Sequence, residues 1–156
     1  MGAVYQRFVR VSQLLRQPHR QNPPSRVAAA LMPFFTYLDR CTSPADRLVA
    51  TGELPAVIVL AGRGFASDGV VFGAWYSSAA HQDRTLERLR ARPALFVIAM
   101  DEANFRKRFS LIARYVDEEY TPFADVPGKG VRVPILVHRH RASLRADADT
   151  GWPCFQ

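Results

Sequence analysis

The chain has 156 residues and a formal net charge of +7. This length is typical of one domain with at most a short appendage. Hydrophobic residues make up 48% and charged residues 22%, a composition that favours a buried core and excludes a disordered polymer. No apolar run approaches the roughly 18 residues of a membrane-spanning helix, and the N-terminus has no signal-peptide pattern. We therefore expect a cytoplasmic location by default if the chain is expressed alone.

The basic excess is concentrated at the N-terminus. Residues 1–26 hold five arginines and no acidic residue, whereas residues 27–137 hold thirteen basic and twelve acidic residues. Two explanations stay open: the arginine codons of a GC-rich genome, or an arm that contacts phosphates of an anionic lipid or nucleic acid. Because the arm lacks the interleaved aromatic residues of a nucleic-acid reader, we expect no specific nucleic acid as a partner.

In chain order, the first unit is a basic arm and linker over residues 1–24, helical to about Leu15 and then broken by prolines. An α/β domain over residues 25–138 and a tail over residues 139–156 that packs back onto it are predicted to follow. Ser25 is placed as the N-cap of the next helix. Pro33 lies inside that helix and predicts either a kink or the start of a second helix. The helical stripe consists of Val27, Leu31, Phe34, Phe35 and Leu38.

Short strands and helices then alternate. A buried strand is predicted over 47–51, and a helix over 55–61 that Gly62 ends, although its apolar run also fits a strand. Residues 70–72 fit a further extended piece. Ser77 or Ser78 is predicted to cap a helix through Arg90, and the apolar run 94–99 predicts the clearest strand.

The last part of the domain combines one helical segment with two strands. Asp101 is predicted to cap the helix, whose apolar stripe is Phe105, Phe109, Ile112 and Val116. Residues 121–126 and 131–138 are predicted as strands joined by a glycine turn, which favours an antiparallel edge. The whole pattern predicts an α/β fold: a small two-layer or three-layer sandwich with a short, mainly parallel sheet and a helical N-terminal arm.

Motifs that carry chemistry are sparse. Residues 62–64 lack the remaining glycines of a dinucleotide loop, and neither a Walker loop nor a nucleophile elbow is present. His138 and His140 have the spacing of paired metal ligands, but the adjacent arginines repel a cation, so no metal site is expected. Asp147 and Asp149 form a D-x-D element like that of some glycosyltransferases, which in this polar tail is expected to be solvated. No catalytic residue and no cofactor are assigned.

An aromatic pair, Trp75-Tyr76, follows an exposed turn that contains Asp68, with Arg63 just upstream. Paired aromatic rings beside charged groups are able to stack on a sugar. They equally cover the end of a small core. The sequence alone leaves both interpretations of the aromatic pair open, a sugar-stacking surface and a cover for the core.

Six strings distributed over about residues 25–156 resemble a known family. They are Tyr37-Leu38-Asp39-Arg40-Cys41-Thr42, Asp46-Arg47-Leu48-Val49, Leu54-Pro55 through Ala61-Gly62-Arg63-Gly64-Phe65-Ala66, Gln82-Asp83-Arg84-Thr85-Leu86, Pro93-Ala94-Leu95-Phe96-Val97-Ile98 and Thr150-Gly151-Trp152-Pro153-Cys154-Phe155. Together they resemble the C-terminal soluble domain of bacterial polytopic membrane glycosyltransferases. That group comprises enzymes like the dolichyl-phosphate-mannose protein mannosyltransferases and arabinose transferases, which use polyprenyl-phosphate sugar donors.

The resemblance implies a non-catalytic accessory domain or fragment of such an enzyme, which supports the membrane part or the acceptor site. In the family this domain follows the last membrane helix, and the catalytic acid lies far upstream, so the isolated chain is not expected to be an enzyme. The implied location is the extracytoplasmic face of the bacterial inner membrane. The implied partners are the membrane-embedded part and a lipid-linked sugar or acceptor. The candidate ligand-binding residues under this resemblance are Arg63, Asp68, Trp75 and Tyr76.

The two cysteines gain a different interpretation from the resemblance. In the cytosol, distant thiols stay reduced. Outside the cytoplasm, Cys41 and Cys154 are expected to form a disulfide that ties the tail to a helix–strand junction. In the chain-entropy model a loop of this size contributes at most about 4.7 kcal/mol to stability.

Two other classes of function stay open. One is a peripheral binding module whose residues 1–26 contact an anionic lipid or nucleic acid. The other is a small nucleotide- or sugar-binding enzyme. It predicts a deep pocket at the carboxyl ends of the strands, with Arg63, Asp68 or Asp101 in its wall.

Overall fold

A computed structural model describes residues 25–52, 55–67, 72–128 and 130–156. The N-terminal arm with its predicted helix, Asp68 and residues 70–71 of the predicted extended piece lie outside the described residues. Among the described helices, none combines the length and the apolar character needed to cross a bilayer.

The helical stripe at the start of the domain forms two helices, α1 (Arg26–Ala30) and α2 (Met32–Cys41). Ser25 caps α1 as predicted, because its Oγ accepts a hydrogen bond from the Ala28 amide at 3.1 Å. Pro33 occupies the first turn of α2. The proline therefore starts a second helix, which is one of its two predicted effects.

The remaining predicted elements follow in order, together with four short elements that were not predicted, at residues 64–65, 74–76, 145–146 and 153–154. They are β1 (Arg47–Ala50), α3 (Pro55–Ala61), β2 (Gly64–Phe65), a 3-10 helix (Ala74–Tyr76), α4 (Ala79–Ala91), β3 (Phe96–Ile98), α5 (Glu102–Arg108), α6 (Ser110–Glu119), β4 (Tyr120–Gly128), β5 (Val131–His138), β6 (Arg145–Ala146) and β7 (Pro153–Cys154). The run 55–61 is helical, so the strand alternative is wrong. Gly62 follows α3 with φ +63°, a left-handed conformation that glycine adopts without a Cβ clash.

Two predicted caps differ in detail. Asp101 stands at the start of α5, but its φ of 48° is left-handed and its carboxylate accepts from the Asn104 side chain at 2.9 Å, not from a helix amide. Ser78 starts α4, and its hydroxyl lies 2.7 Å from His81 Nδ1. The stripe predicted on one helical segment is shared by α5 and α6, because the backbone breaks at Phe109.

The main sheet has five strands in the order β2-β1-β3-β5-β4. The first three strands are parallel to one another. β5 pairs antiparallel with both β3 and β4, so the antiparallel part extends one strand beyond the predicted hairpin. The α/β fold class is confirmed, with a mixed sheet.

Helices cover both faces of this sheet. On β1, Leu48 and Ala50 pack into a core with α1, α2 and α3, whereas Val49 packs into a second core with α4, α5 and α6. On β3, Phe96 and Val97 divide between the two cores in the same way. Since successive side chains of a strand point to opposite faces, a continuous apolar run fills both cores. The fold is therefore the three-layer form of the predicted sandwich.

Candidate functional site

The tail is bonded to the end of α2 at a place that we call the helix–tail junction, formed by residues 37–42, Arg63 and residues 147–155. Cys41 and Cys154 form a disulfide, with their Cα atoms 4.4 Å apart, and both residues are fully buried. The Phe155 amide donates to the Cys41 carbonyl at 2.8 Å. The pair that the resemblance implied is thus joined across a sequence separation of 113 residues.

A partly buried ion pair adds to the junction. Arg40 approaches Asp147 with both arms of its guanidinium, Nε to Oδ1 at 3.1 Å and Nη2 to Oδ2 at 2.8 Å. Thr150 also donates to the carboxylate through its hydroxyl at 2.8 Å. The hydrogen bond from Arg40, followed by that from Thr150, lowers the pKa of Asp147 to about 2.

Asp147 corrects one prediction directly. The D-x-D element was expected to be solvated, yet the Asp147 side chain is only 4% exposed, whereas Asp149 is 72% exposed. The reason is the partner on α2: a bidentate guanidinium compensates for the desolvation of one carboxylate. The charge of Arg40 in the string 37–42 was the available signal, but the sequence did not indicate that the two would meet.

Arg63 lies beneath the end of α2 and is only 9% exposed. Its Nη2 donates to the Leu38 carbonyl at 2.9 Å and to the Thr42 carbonyl at 3.2 Å, and Nε donates to Thr42 Oγ1 at 3.2 Å. A helix C-terminus presents such unpaired carbonyls and favours a cation. The guanidinium of this candidate ligand-binding residue is therefore engaged by protein acceptors.

The aromatic candidates lie elsewhere. Trp75 is 83% exposed and Tyr76 is 41% exposed, and the Tyr76 ring contacts the His81 ring at 5.7 Å. Both belong to the 3-10 helix that follows the carboxyl end of β2, whereas Arg63 precedes its amino end. The structure does not bring Arg63 and the aromatic pair together, and Asp68 lies outside the described residues.

His138 ends β5, and His140 lies in the turn that follows it. The ring centroids of His138 and His140 are 5.7 Å apart, and their Nε2 atoms lie 3.9 and 3.8 Å from the same Glu119 oxygen. Burial lowers the pKa of His138. Elsewhere among the described residues, Cys41, Cys154 and Asp147 place possible ligand atoms within 4.8 Å of one another, but both sulfurs belong to the disulfide.

An open cleft of about 720 Å³ lies at the amino ends of the parallel strands, and we call it the amino-end cleft. Its lining comprises Pro44, Ala45, Asp46, Arg47, Gly64, Phe65, Ala91, Arg92, Pro93 and Arg141. At the carboxyl end of β3, by contrast, a cavity measures only about 20 Å³, and neither Arg63 nor Asp101 lines it. Among the described residues, this cavity is too small to be the pocket expected for a small enzyme.

Comparison of the chain with protein-family models, curated proteins and solved structures gives no match. The fold and the described site define a class: a small α/β/α sandwich whose tail is tied by a disulfide and whose parallel strands carry an arginine-lined cleft at their amino ends.

Proposed function

We propose that the chain is a non-catalytic domain that works outside the cytoplasm, as the accessory C-terminal part of a polytopic membrane glycosyltransferase. The observation that carries this proposal is the helix–tail junction, with its buried Cys41–Cys154 disulfide. Structural disulfides persist in oxidising compartments and are rare in the cytosol. The bond therefore supports a location beyond the inner membrane.

The junction also unites strings that carry the family resemblance. Residues 37–42 supply Tyr37, Arg40 and Cys41, the third string supplies Arg63, and the tail supplies Cys154. Tyr37 donates its hydroxyl hydrogen to the carbonyl of Pro153 in the same tail. Since these side chains bond groups within the helix–tail junction, their role is to hold the fold. This use of the strings supports a non-catalytic domain.

The exposed aromatic pair supplies a surface for contact. A tryptophan that is 83% exposed leaves a large apolar ring in water. Such rings are typical of surfaces that pack on a partner or stack on a sugar face. Trp75 and Tyr76 are accordingly proposed to contact the membrane part or the acceptor glycan.

The accessory role is tested with membranes that lack this domain and with the purified chain alone. Membranes from a strain that lacks codons 25–156 are expected to transfer less sugar from a polyprenyl-phosphate donor, while the purified chain transfers none alone. Unchanged transfer by the deletion membranes would refute the accessory role. Transfer by the purified chain would refute the non-catalytic role.

The contact surface has a matched control. Trp75→Ala is expected to lower membrane glycosyl transfer, whereas Leu144→Ala, at a residue that is 71% exposed, should leave it unchanged. Both changes remove an exposed apolar side chain, so neither is expected to alter stability by more than about 0.5 kcal/mol. Equal activity of the two variants would exclude Trp75 from the contact.

A further inference from the structure

The amino-end cleft carries a positive charge that the fold does not use. Of its lining residues, Arg47, Arg92 and Arg141 are cationic and Asp46 is the single acid. Asp46 is already paired: its Oδ1 accepts from Arg141 at 3.0 Å and its Oδ2 accepts from the Ser43 amide at 2.8 Å. One arginine and the one acid therefore neutralise each other.

Two guanidinium groups of the cleft, those of Arg47 and Arg92, remain for a ligand. Within the described parts of the chain, no hydrogen bond or ion pair engages the side chain of Arg47 or Arg92. Arg92 follows the last turn of α4, where a cation complements the helix dipole. Arg47 begins β1 and has no such helix end of its own. Two unpaired guanidinium groups in one concave site complement a dianion, because each offers a planar fork of donors.

The shape of the cleft narrows the class of ligand. A volume of about 720 Å³ is in the range of small-molecule sites. Pro44, Pro93 and the half-buried Phe65 provide apolar wall beside the arginines. An inorganic ion alone would leave that wall without contacts, whereas the organic part of a phosphate ester would cover it.

We propose that the amino-end cleft binds a phosphate-bearing headgroup, an organic phosphomonoester or diphosphate. Arg47 and Arg92 bind the phosphate oxygens, and Arg141 holds Asp46 away from them. This proposal goes beyond the accessory function and rests on the cleft alone. The same headgroup chemistry is present on soluble metabolites and on lipids, so the test uses a soluble and a membrane-bound probe.

The soluble probe is inorganic pyrophosphate, titrated into the full chain and followed by calorimetry. The double variant Arg47→Gln/Arg92→Gln is expected to bind at least about tenfold more weakly, because each lost charge-assisted bond has at least that effect. The matched control is Arg132→Gln, which removes an exposed arginine paired with Asp125 at the far hairpin. It should bind like the unaltered chain.

The membrane-bound probe is a phosphatidylcholine vesicle with about one fifth phosphatidic acid, which displays a phosphomonoester. All variants keep residues 1–26, so any contribution of the basic arm is common to them and the difference reports the cleft. Loss of vesicle binding in the double variant without pyrophosphate binding would identify a lipid source. The reverse result would identify a soluble one.

The proposal is overturned if neither probe binds, or if both bind equally to the unaltered chain and to the double variant. A thermal melt checks that each variant is folded. If the double variant does not fold, the single change Arg92→Gln, at an exposed residue, replaces it with the same expectations.

Discussion

Arginine side chains have opposite roles at the helix–tail junction and in the amino-end cleft. At the junction, Arg63 donates to the carbonyls of Leu38 and Thr42. At the cleft, Arg47 and Arg92 have no described partner. The surroundings differ accordingly, because the junction is closed by a disulfide and the cleft opens to solvent.

Two roles of arginine can be distinguished by the acceptor groups that surround the guanidinium. A guanidinium buried among carbonyl oxygens compensates for groups that folding would otherwise leave unpaired. A guanidinium that lines a concave surface without acceptors makes no such contribution to the stability of the fold. We therefore expect junction residues to determine stability and cleft residues to determine binding.

The largest effect is expected from the disulfide. Replacing both cysteines, Cys41→Ala/Cys154→Ala, should lower the free energy of unfolding by about 2–5 kcal/mol, because the unfolded chain loses a long-range constraint. Urea denaturation with and without reductant measures this. Reductant should destabilise the unaltered chain and leave the double variant unaffected. A loss below about 0.5 kcal/mol would contradict a stabilising junction.

The next effect concerns Arg63. Arg63→Met keeps an extended apolar stem but leaves the carbonyls of Leu38 and Thr42 without their donor. The expected loss is about 1–3 kcal/mol of unfolding free energy. Arg92→Gln serves as the control, since it is exposed. If both variants unfold at the same urea concentration, the contrast between junction and cleft does not hold.

A smaller, pH-dependent effect is expected from Asp147. Because its pKa in the folded chain is about 2, below the ordinary value of about 3.9, its contribution is complete above about pH 5 and is lost as the pH falls toward about 2. Asp147→Asn removes this contribution. Its melting temperature should therefore fall less steeply between about pH 5 and pH 2 than that of the unaltered chain.

Asp149→Asn provides the comparison for this acid limb, since Asp149 is 72% exposed and only Asp147 is buried. Its melting curve should follow that of the unaltered chain at every pH. A parallel acid limb for all three proteins would show that Asp147 does not carry the pH dependence.

The smallest effect on stability is expected at the cleft. Arg47→Gln/Arg92→Gln should change the free energy of unfolding by less than about 0.5 kcal/mol, because no described partner loses a bond. Urea denaturation of the variant alongside Arg63→Met measures the difference. A loss comparable to that of Arg63→Met would assign the cleft arginines to the fold.

Much of the fold could be predicted from the sequence. Pro33 and Gly62 mark helix boundaries through fixed backbone preferences, and the apolar run at Phe96 indicates a strand covered on both faces. These signals are local. The split of the later helices at Phe109 was not predicted, because an uninterrupted apolar stripe carries no sign of a backbone break.

The candidate site depends on long-range contacts, and here local patterns fail. The bond from Arg40 to Asp147 spans 107 residues, and nothing near Asp147 in the chain indicates its burial. Arg63 was predicted to bind a ligand because it stands near the aromatic pair Trp75-Tyr76 in the sequence and because the family resemblance implies a sugar or lipid-linked partner. Its burial follows from the position of β2 beside the end of α2, which only the fold provides.

We propose that the chain works in an oxidising compartment with its tail tied to α2 by the Cys41–Cys154 disulfide. The most direct measurement is the redox state of Cys41 and Cys154 in intact source cells, quenched in acid, alkylated with N-ethylmaleimide and analysed by mass spectrometry. We predict one disulfide-linked peptide pair without maleimide. Maleimide on both cysteines would contradict the account.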